Sequence, residues 1–478
     1  MAEWELILAI GEGLVMLDPA TGEIEPGIAE ELPEVSDDGL TYTFRLNPEV
    51  EFSDGLELTA PLYVRSIERV IALGGGASDL VAGFVDSVEA PDDETVVFHL
   101  NQPFAFFPVV MSGAAYVPVH PDNFPEESLV ARPDAPIHGV GEWYVADMSE
   151  DRIVLERNPN RPTDDDGPED VVIYQFTSGE EMSAALIDGS VDLLWRGVGH
   201  ELEQNLATED GVTIGHAEGG LLVLLVMNHG LPPTDDPAVR RAVATLVDRE
   251  MVADEVLAGT VDPAYSPVPS GILGSTESFR NTYGEPDVVA AIDLLTDAGY
   301  TPEEPARIEL AYPPERYGVG VARAMAELER QIEATGLIDV TLTAQAWNTY
   351  VGEVVDGTYH AALLGWVFDF PDPHNYLAPF ILQGGLGGSS TGSSEELALL
   401  VEMLQEAATE PDSRQRAEIY ESLQQIYAEE VVTLPLWVDP EAVAYLDHVS
   451  ADPEGPNPEA LNIGTPLRLD FGELRVDR

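Results

Sequence analysis

The ten residues 366–375, WVFDFPDPHN, interleave two aspartates with three aromatic side chains and end on a histidine and an asparagine. They follow an apolar run, AALL at 361–364, that reads as a strand. Acids and aromatics gathered just past the carboxyl end of a strand are where α/β lobes hold ligands, because the loops there converge on one edge of the sheet. Asp and Pro also serve in loops simply to make turns, so the residues alone leave both readings open.

The other patterns that could do chemistry are weaker. GSSTG at 388–392 matches G-x-S-x-G, but a nucleophile elbow needs a strand before it and a helix directly after, and this match sits inside a Gly/Ser stretch. Asp164, Asp165, Asp166 and Gly167 resemble part of a calcium loop without its spaced ligands or closing Glu, so a solvated acidic turn is expected. His374, near Asp372, could ligate a metal; a solvated loop histidine fits it better. None of the nine His stands in H-E-x-x-H. There is no cysteine, hence no disulfide and no thiolate metal site. No catalytic residue, cofactor or metal is assigned.

Elements must hold these residues in place. Leu40, Tyr42, Phe44 and Leu46 alternate with polar residues as a half-buried strand, and Val96, Phe98 and Leu100 form another. Between them Thr59 is placed to cap a helix with Pro61 in its first turn, running to the glycines at 74–76. That region reads as α+β. From Asp236 the pattern changes. Asp236-Pro237 opens a helix with Val239, Ala242, Val243 and Leu246 on one face. Val288, Ala291, Ile292 and Leu295 give a second, closed by Gly299, and Val321, Met325, Leu328 and Ile332 a third, closed by Gly336. Strands at Ile308–Tyr312 and Ile338–Leu342, a short helix around Tyr350 that stops at Gly357, and helices near 395–408 and 413–430 complete an alternation. It predicts an α/β lobe with helices on both sheet faces. No flexible linker separates the regions, which suggests several chain crossings.

Composition narrows the function. A chain of 478 residues is too long for one ordinary core, so two or three lobes are expected. Asp and Glu number 88 against 21 basic residues, a net charge of -67, and every basic residue is Arg. Nucleic acid is excluded as a partner, because phosphate binding needs a basic surface. The acids run along the whole chain rather than in a tail. Such self-repulsion is tolerable where salt shortens the Debye length to roughly 3 Å at 1 M, so a halophilic surface is expected. No apolar run reaches the ~18 residues that span a membrane, and residues 1–10 lack the basic start and cleavage site of a signal peptide.

Several stretches carry a resemblance. They are GEGLVMLDPATGEIEPGIAEE at 11–31, VSDDGLTYTFRL at 35–46, FSDG at 52–55, APDDETVVFHL at 90–100 and IVLERNP at 153–159. The second half adds MNHGLPPTDDPAVRRAV at 227–243, LLTDAGY at 294–300 and GWVFDFPDP at 365–373. In this order and spacing they resemble solute-binding protein family 5, the dipeptide, oligopeptide and nickel binders of ABC importers. The resemblance implies an α/β, type II periplasmic-binding-protein-like fold: two α/β lobes around a cleft plus an extra α+β domain. Lobe I would take 1–19, 137–228 and 437–478, the extra domain 20–136 and lobe II 229–436, with crossings near Asn228 and Trp437. It also implies a non-enzymatic, monomeric binder at the outer face of the cell membrane. Such a binder encloses a short peptide by hinge closure and passes it to the importer's permease subunits.

The resemblance also implies site residues. Asp369, three places after the cleft Trp, would hold a ligand's α-amino group; Trp366 would give an apolar wall and Asn228 a polar contact. Arg316 stands where related dipeptide binders carry an Arg for the ligand's carboxylate, which a planar guanidinium grips with two parallel hydrogen bonds; a surface pairing with Glu315 is the alternative. The sequence departs from the family in places. G-T-G-P-Y reads GVGEWY at 139–144, and Leu364 stands where oligopeptide binders often carry Arg, which favours a small ligand such as a dipeptide. The family's Glu-Gly-Leu segment is already at 12–14 here, so the resemblance implies that a lead of roughly 40 residues, with signal and lipid-bearing Cys, is missing. A sugar or chelated metal in the same fold, and a secreted hydrolase using carboxylates or Ser390, are the competing readings.

Overall fold

The computed structural model describes residues 2–17, 24–125, 134–161, 167–216, 220–317, 320–382, 395–450, 463–464, 468–469 and 471–476. The GSSTG stretch at 388–392 and the acidic triplet at 164–166 lie outside the described residues. The chain forms two compact units. The first takes 1–198, 202–217 and 442–478, and the second 199–201 and 218–441.

In the first unit, Thr41–Arg45 and Thr95–Leu100 pair antiparallel within a four-stranded sheet completed by Glu34–Val35 and Val85–Glu89. The helix Ala60–Leu73 lies where the sequence placed it. Thr59 occupies its N-cap position, but its side chain makes no capping bond. Tyr42, Phe98, Phe107 and Tyr116 meet edge-on or tilted at centroid distances of 5.1 to 6.3 Å, giving this sheet an aromatic core. A three-stranded meander follows, Trp143–Met148, Arg152–Arg157 and Asp170–Tyr174. The unit is discontinuous for a visible reason: Ala442–Leu446, near the chain's end, is the middle strand between Leu193–Trp195 and Val212–His216.

The second unit is α/β. Its elements are β1 (Leu221–Met227), α1 (Pro237–Leu246), β2 (Asp262–Pro263), α2 (Val288–Asp297), β3 (Ala306–Tyr312), α3 (Val321–Ile332), β4 (Ile338–Ala344) and α4 (Trp347–Val355). Then come β5 (Ala361–Trp366), α5 (Pro373–Ile381), α6 (Glu395–Thr409), α7 (Ser413–Glu430) and β6 (Thr433–Asp439). The sheet order is β2-β6-β1-β5-β3-β4. Strands β3, β4 and β5 run parallel, while β1 is antiparallel to both β5 and β6. One apolar core joins the sheet to its helices, with Leu224, Leu225, Leu363, Val243, Leu328, Leu404 and Tyr427 all buried in it.

Local chemistry sets the helix ends. Asp236 accepts a hydrogen bond from the Ala238 amide (2.9 Å), and Asp287 accepts from Val289 and Ala290, so two of the many acids satisfy orphan N–H groups. Gly299, at φ +97°, ends α2 one residue past the cap, as its position in the sequence indicated. The sequence placed the crossings near Asn228 and Trp437. The compact units divide at 198/199, 201/202, 217/218 and 441/442, the last two just outside β1 and β6, which are hydrogen-bonded to each other within this sheet.

Candidate functional site

Strand direction decides what meets at the sheet's edges. Because β3, β4 and β5 are parallel, their carboxyl ends, Tyr312, Ala344 and Trp366, share one edge. The start of β1 lies there too, since Leu222 faces Trp366.

At this edge Trp366 is the last residue of β5 and Asp369 follows in the loop to α5. Gly365 precedes the Trp because nothing larger fits: a Cβ there would lie 2.7 Å from the Tyr317 ring and 2.8 Å from the Leu221 side chain. The Gly365 amide donates to the Tyr317 hydroxyl at 2.9 Å. Tyr350 of α4, fully buried, donates to the Leu363 carbonyl at 2.6 Å and lies 3.3 Å from that of Ala311. It ties the middle of β5 to the end of β3.

The loop 367–372 is held from behind. Asn375 is 7% exposed, and its Oδ1 accepts from the Asp369 amide (2.9 Å) and from the Trp366 indole Nε1 (3.3 Å). Its Nδ2 donates to Asp369 Oδ2 at 3.3 Å. Two N–H donors on one oxygen fix the orientation of the amide. Asp369 itself is half-buried, and burial raises its pKa, an effect the Asn375 bond partly offsets. Asp372 caps α5 by accepting from the His374 amide, and its buried carboxylate meets Arg416 of α7 at 2.5 and 2.6 Å.

The turn after β3 carries Arg316, which is exposed. Its guanidinium lies 4.3 Å from the centroid of the Trp347 ring, and it makes no ion pair among the described residues. Glu315, the partner sequence reasoning set against it, instead accepts from the Trp347 amide at 2.8 Å. Tyr317 meets the same indole edge-on at 6.2 Å.

The structure therefore brings Trp366, Asp369 and Arg316 to one edge of the sheet and leaves Asn228 away from it. Met227 faces Ala361 and the Asn228 amide donates to the His360 carbonyl, so Asn228 lies just past the opposite end of β5, roughly 20 Å from Trp366 at the rise of a strand. Its amide is occupied there: Nδ2 donates to the Gly357 carbonyl and Oδ1 accepts from the Gly230 amide, both at 2.9 Å. His374 is not a solvated loop residue. It lies on α5, and burial, with Arg416 nearby, pushes its pKa down to about 3, so it is neutral. No group of three His, Cys, Asp or Glu able to hold a metal ion occurs among the described residues. No helix there is long and apolar enough to cross a membrane.

Sequence reasoning missed Trp347 and Asn375. For Asn375 a signal existed: Asp372-Pro373 opens the helix, so Asn375 is its third residue, the position whose side chain reaches back toward the chain ahead of the cap.

In the first unit, a cavity of about 340 Å³ is lined by Asn47, Glu49, Glu51, Val140, Asn160 and Arg161, the last paired with Glu12.

Residues 23–388 match the family described as Bacterial extracellular solute-binding proteins, family 5 Middle. The chain belongs to that family. The solute-binding protein is 26% identical to the "Oligopeptide-binding protein OppA" of Bacillus subtilis (strain 168), over 89% of this chain and 81% of that one. Its fold is that of the periplasmic binding proteins of this family. The "MppA Periplasmic Murein Tripeptide Binding Protein, Unliganded Open Form" superposes with a TM-score of 0.81 at 20% identity, covering 100% of this chain and 93% of the other. "NikA from Brucella suis in complex with Fe(III)-EDTA" gives 0.82 at 21%, covering 99% and 95%.

Proposed function

We propose that this solute-binding protein captures short peptides of dipeptide size outside the cytoplasm, as a monomer, and delivers them to the permease subunits of an ABC importer. Asp369 holds the α-amino group, Trp366 forms an apolar wall, and Arg316, steadied on Trp347, takes the carboxylate. One observation carries the reading: a half-buried carboxylate of raised pKa and a guanidinium that makes no ion pair among the described residues stand at the same edge, past the ends of neighbouring strands. A zwitterion supplies an ammonium with three donors for the first and a carboxylate for the second. The likeness to oligopeptide- and murein-peptide-binding proteins supports a peptide.

The test is a thermal-shift screen of dipeptides, tripeptides, sugars and metal chelates in molar salt, followed by calorimetric titration. Dipeptides with free ends should raise the melting temperature and be recovered intact. Arg316→Ala should weaken them while leaving C-terminal amides, already weak, nearly unchanged. Stabilisation by sugars or chelates alone would overturn the peptide reading, and consumption of the ligand would mean an enzyme.

A further inference from the structure

We propose that Asn375 is a positioning residue that sets the geometry of both Asp369 and Trp366. The inference rests on the assignment of those two residues to the ligand, proposed above.

Asp369 sits in a loop, where a carboxylate on a free rotor would spend its fixed charge on water. Asn375 removes that freedom from two sides: its oxygen fixes the Asp369 backbone and its nitrogen fixes one carboxylate oxygen. The same oxygen receives the Trp366 indole N–H, so wall and anion are referred to a single buried amide. No described residue donates to the second carboxylate oxygen of Asp369, which leaves it for a ligand's donor.

The amide is itself anchored. It lies one turn into α5, whose capping Asp372 is gripped by Arg416, and Phe380 of the same helix meets the Trp366 ring edge-on at 5.9 Å. Among the described residues, Asp372, His374 and Tyr376 flank Asn375 on the loop and α5, and Arg416 and Tyr420 of α7 join them through Asp372. Arg416 is committed to Asp372, and His374 is neutral. What acts on Asp369 is burial, which favours its protonated form, and the Asn375 N–H, which favours the carboxylate. Removing that N–H should leave Asp369 harder to ionise, an effect a purely structural helix-end residue would not have.

The test compares wild type with Asn375→Ala and the isosteric Asn375→Asp in molar salt, with folding checked by melting temperature. In ligand-free protein, the Asp369 carboxyl is titrated by its 13C resonance between about pH 3 and 8, and the Trp366 indole N–H is assigned by its loss in Trp366→Phe. Asn375→Ala should raise the Asp369 midpoint and move the indole signal. Asn375→Asp, which sets a second carboxylate against the first, should raise the midpoint further. Dipeptide affinity at neutral pH should fall roughly tenfold to a hundredfold in Asn375→Ala. A wild-type midpoint and indole signal in both variants would overturn the proposal. If those signals move but Asp369→Ala binds the dipeptide as wild type does, the ligand assignment fails while the positioning geometry stands.

Discussion

Asp369 is a residue kept at some cost to the fold. Its pKa is raised in the folded chain, so folding favours the protonated form more than the unfolded chain does; that contribution is full below the unfolded value of about 3.9 and is lost as pH rises through the folded value. At neutral pH the empty site therefore holds a poorly solvated charge. Asp369→Asn should melt no lower than wild type at neutral pH in high salt, because it removes that charge and keeps the shape. Binding should respond in the opposite sense. Losing the carboxylate that meets a ligand ammonium typically costs about 3–5 kcal/mol, so Asp369→Ala should weaken a free dipeptide at least ~100-fold by titration. N-acetylated dipeptides should bind wild type no better than free ones bind the variant. Wild-type affinity should also decline on acidification at pH values above the ordinary Asp range, since only the ionised form receives the ammonium. An Asp369→Ala protein of full affinity, or tight binding of N-acetylated peptides, refutes the α-amino role.

At the scale of elements, the loop is only as firm as the helix behind it, and that helix depends on Asp372 and Arg416. Both are buried, at 2% and 6% exposure, and Arg416 also donates to the Ala407 carbonyl at 3.1 Å. Removing one partner strands the other charge, so Asp372→Ala should cost about 3–5 kcal/mol of stability. The double change Asp372→Leu with Arg416→Met should recover part of the loss in chemical denaturation, since an apolar pair leaves no stranded charge. This contact spans 44 positions, and nothing in the sequence announces it. What was legible was local: the apolar runs and capping residues gave β3, α3, β4 and β5 nearly at their observed limits. Strand direction was not legible. The resemblance put Asn228 and Trp366 at one ligand, and only the antiparallel pairing of β1 with β5 puts them at opposite edges. Periodicity carries burial but not direction, so a residue beside a strand can be assigned to the wrong end of it.

Over the whole molecule, the charge sets a self-repulsion that the packed contacts must withstand. Eighty-eight acidic side chains are offset by only 21 arginines, which leaves a net formal charge of -67, and among the described residues three of those arginines, Arg240, Arg249 and Arg416, are buried. They serve carbonyls, rings and acids inside the fold rather than the surface. The surface is thus more acidic than the composition alone suggests, and its repulsion grows as the Debye length lengthens from roughly 3 Å at 1 M salt to 10 Å at 0.1 M. The melting temperature should therefore rise steeply with KCl between about 0.1 and 1 M and flatten as screening saturates. Sulfate tests the cause. If repulsion is the limit, potassium sulfate and KCl matched for ionic strength should stabilise alike over the steep range; if weak apolar burial is the limit, sulfate should stabilise far more, being excluded from the surface. The second unit's core argues for repulsion. It runs without interruption from β1 through the parallel strands to α7, so low salt should unfold a well-packed protein rather than a poorly packed one. A melting temperature that stays level from 0.1 to 3 M KCl (about 10 Å to under 3 Å of screening) would sink the halophilic reading and leave the missing lysines without a physical cause.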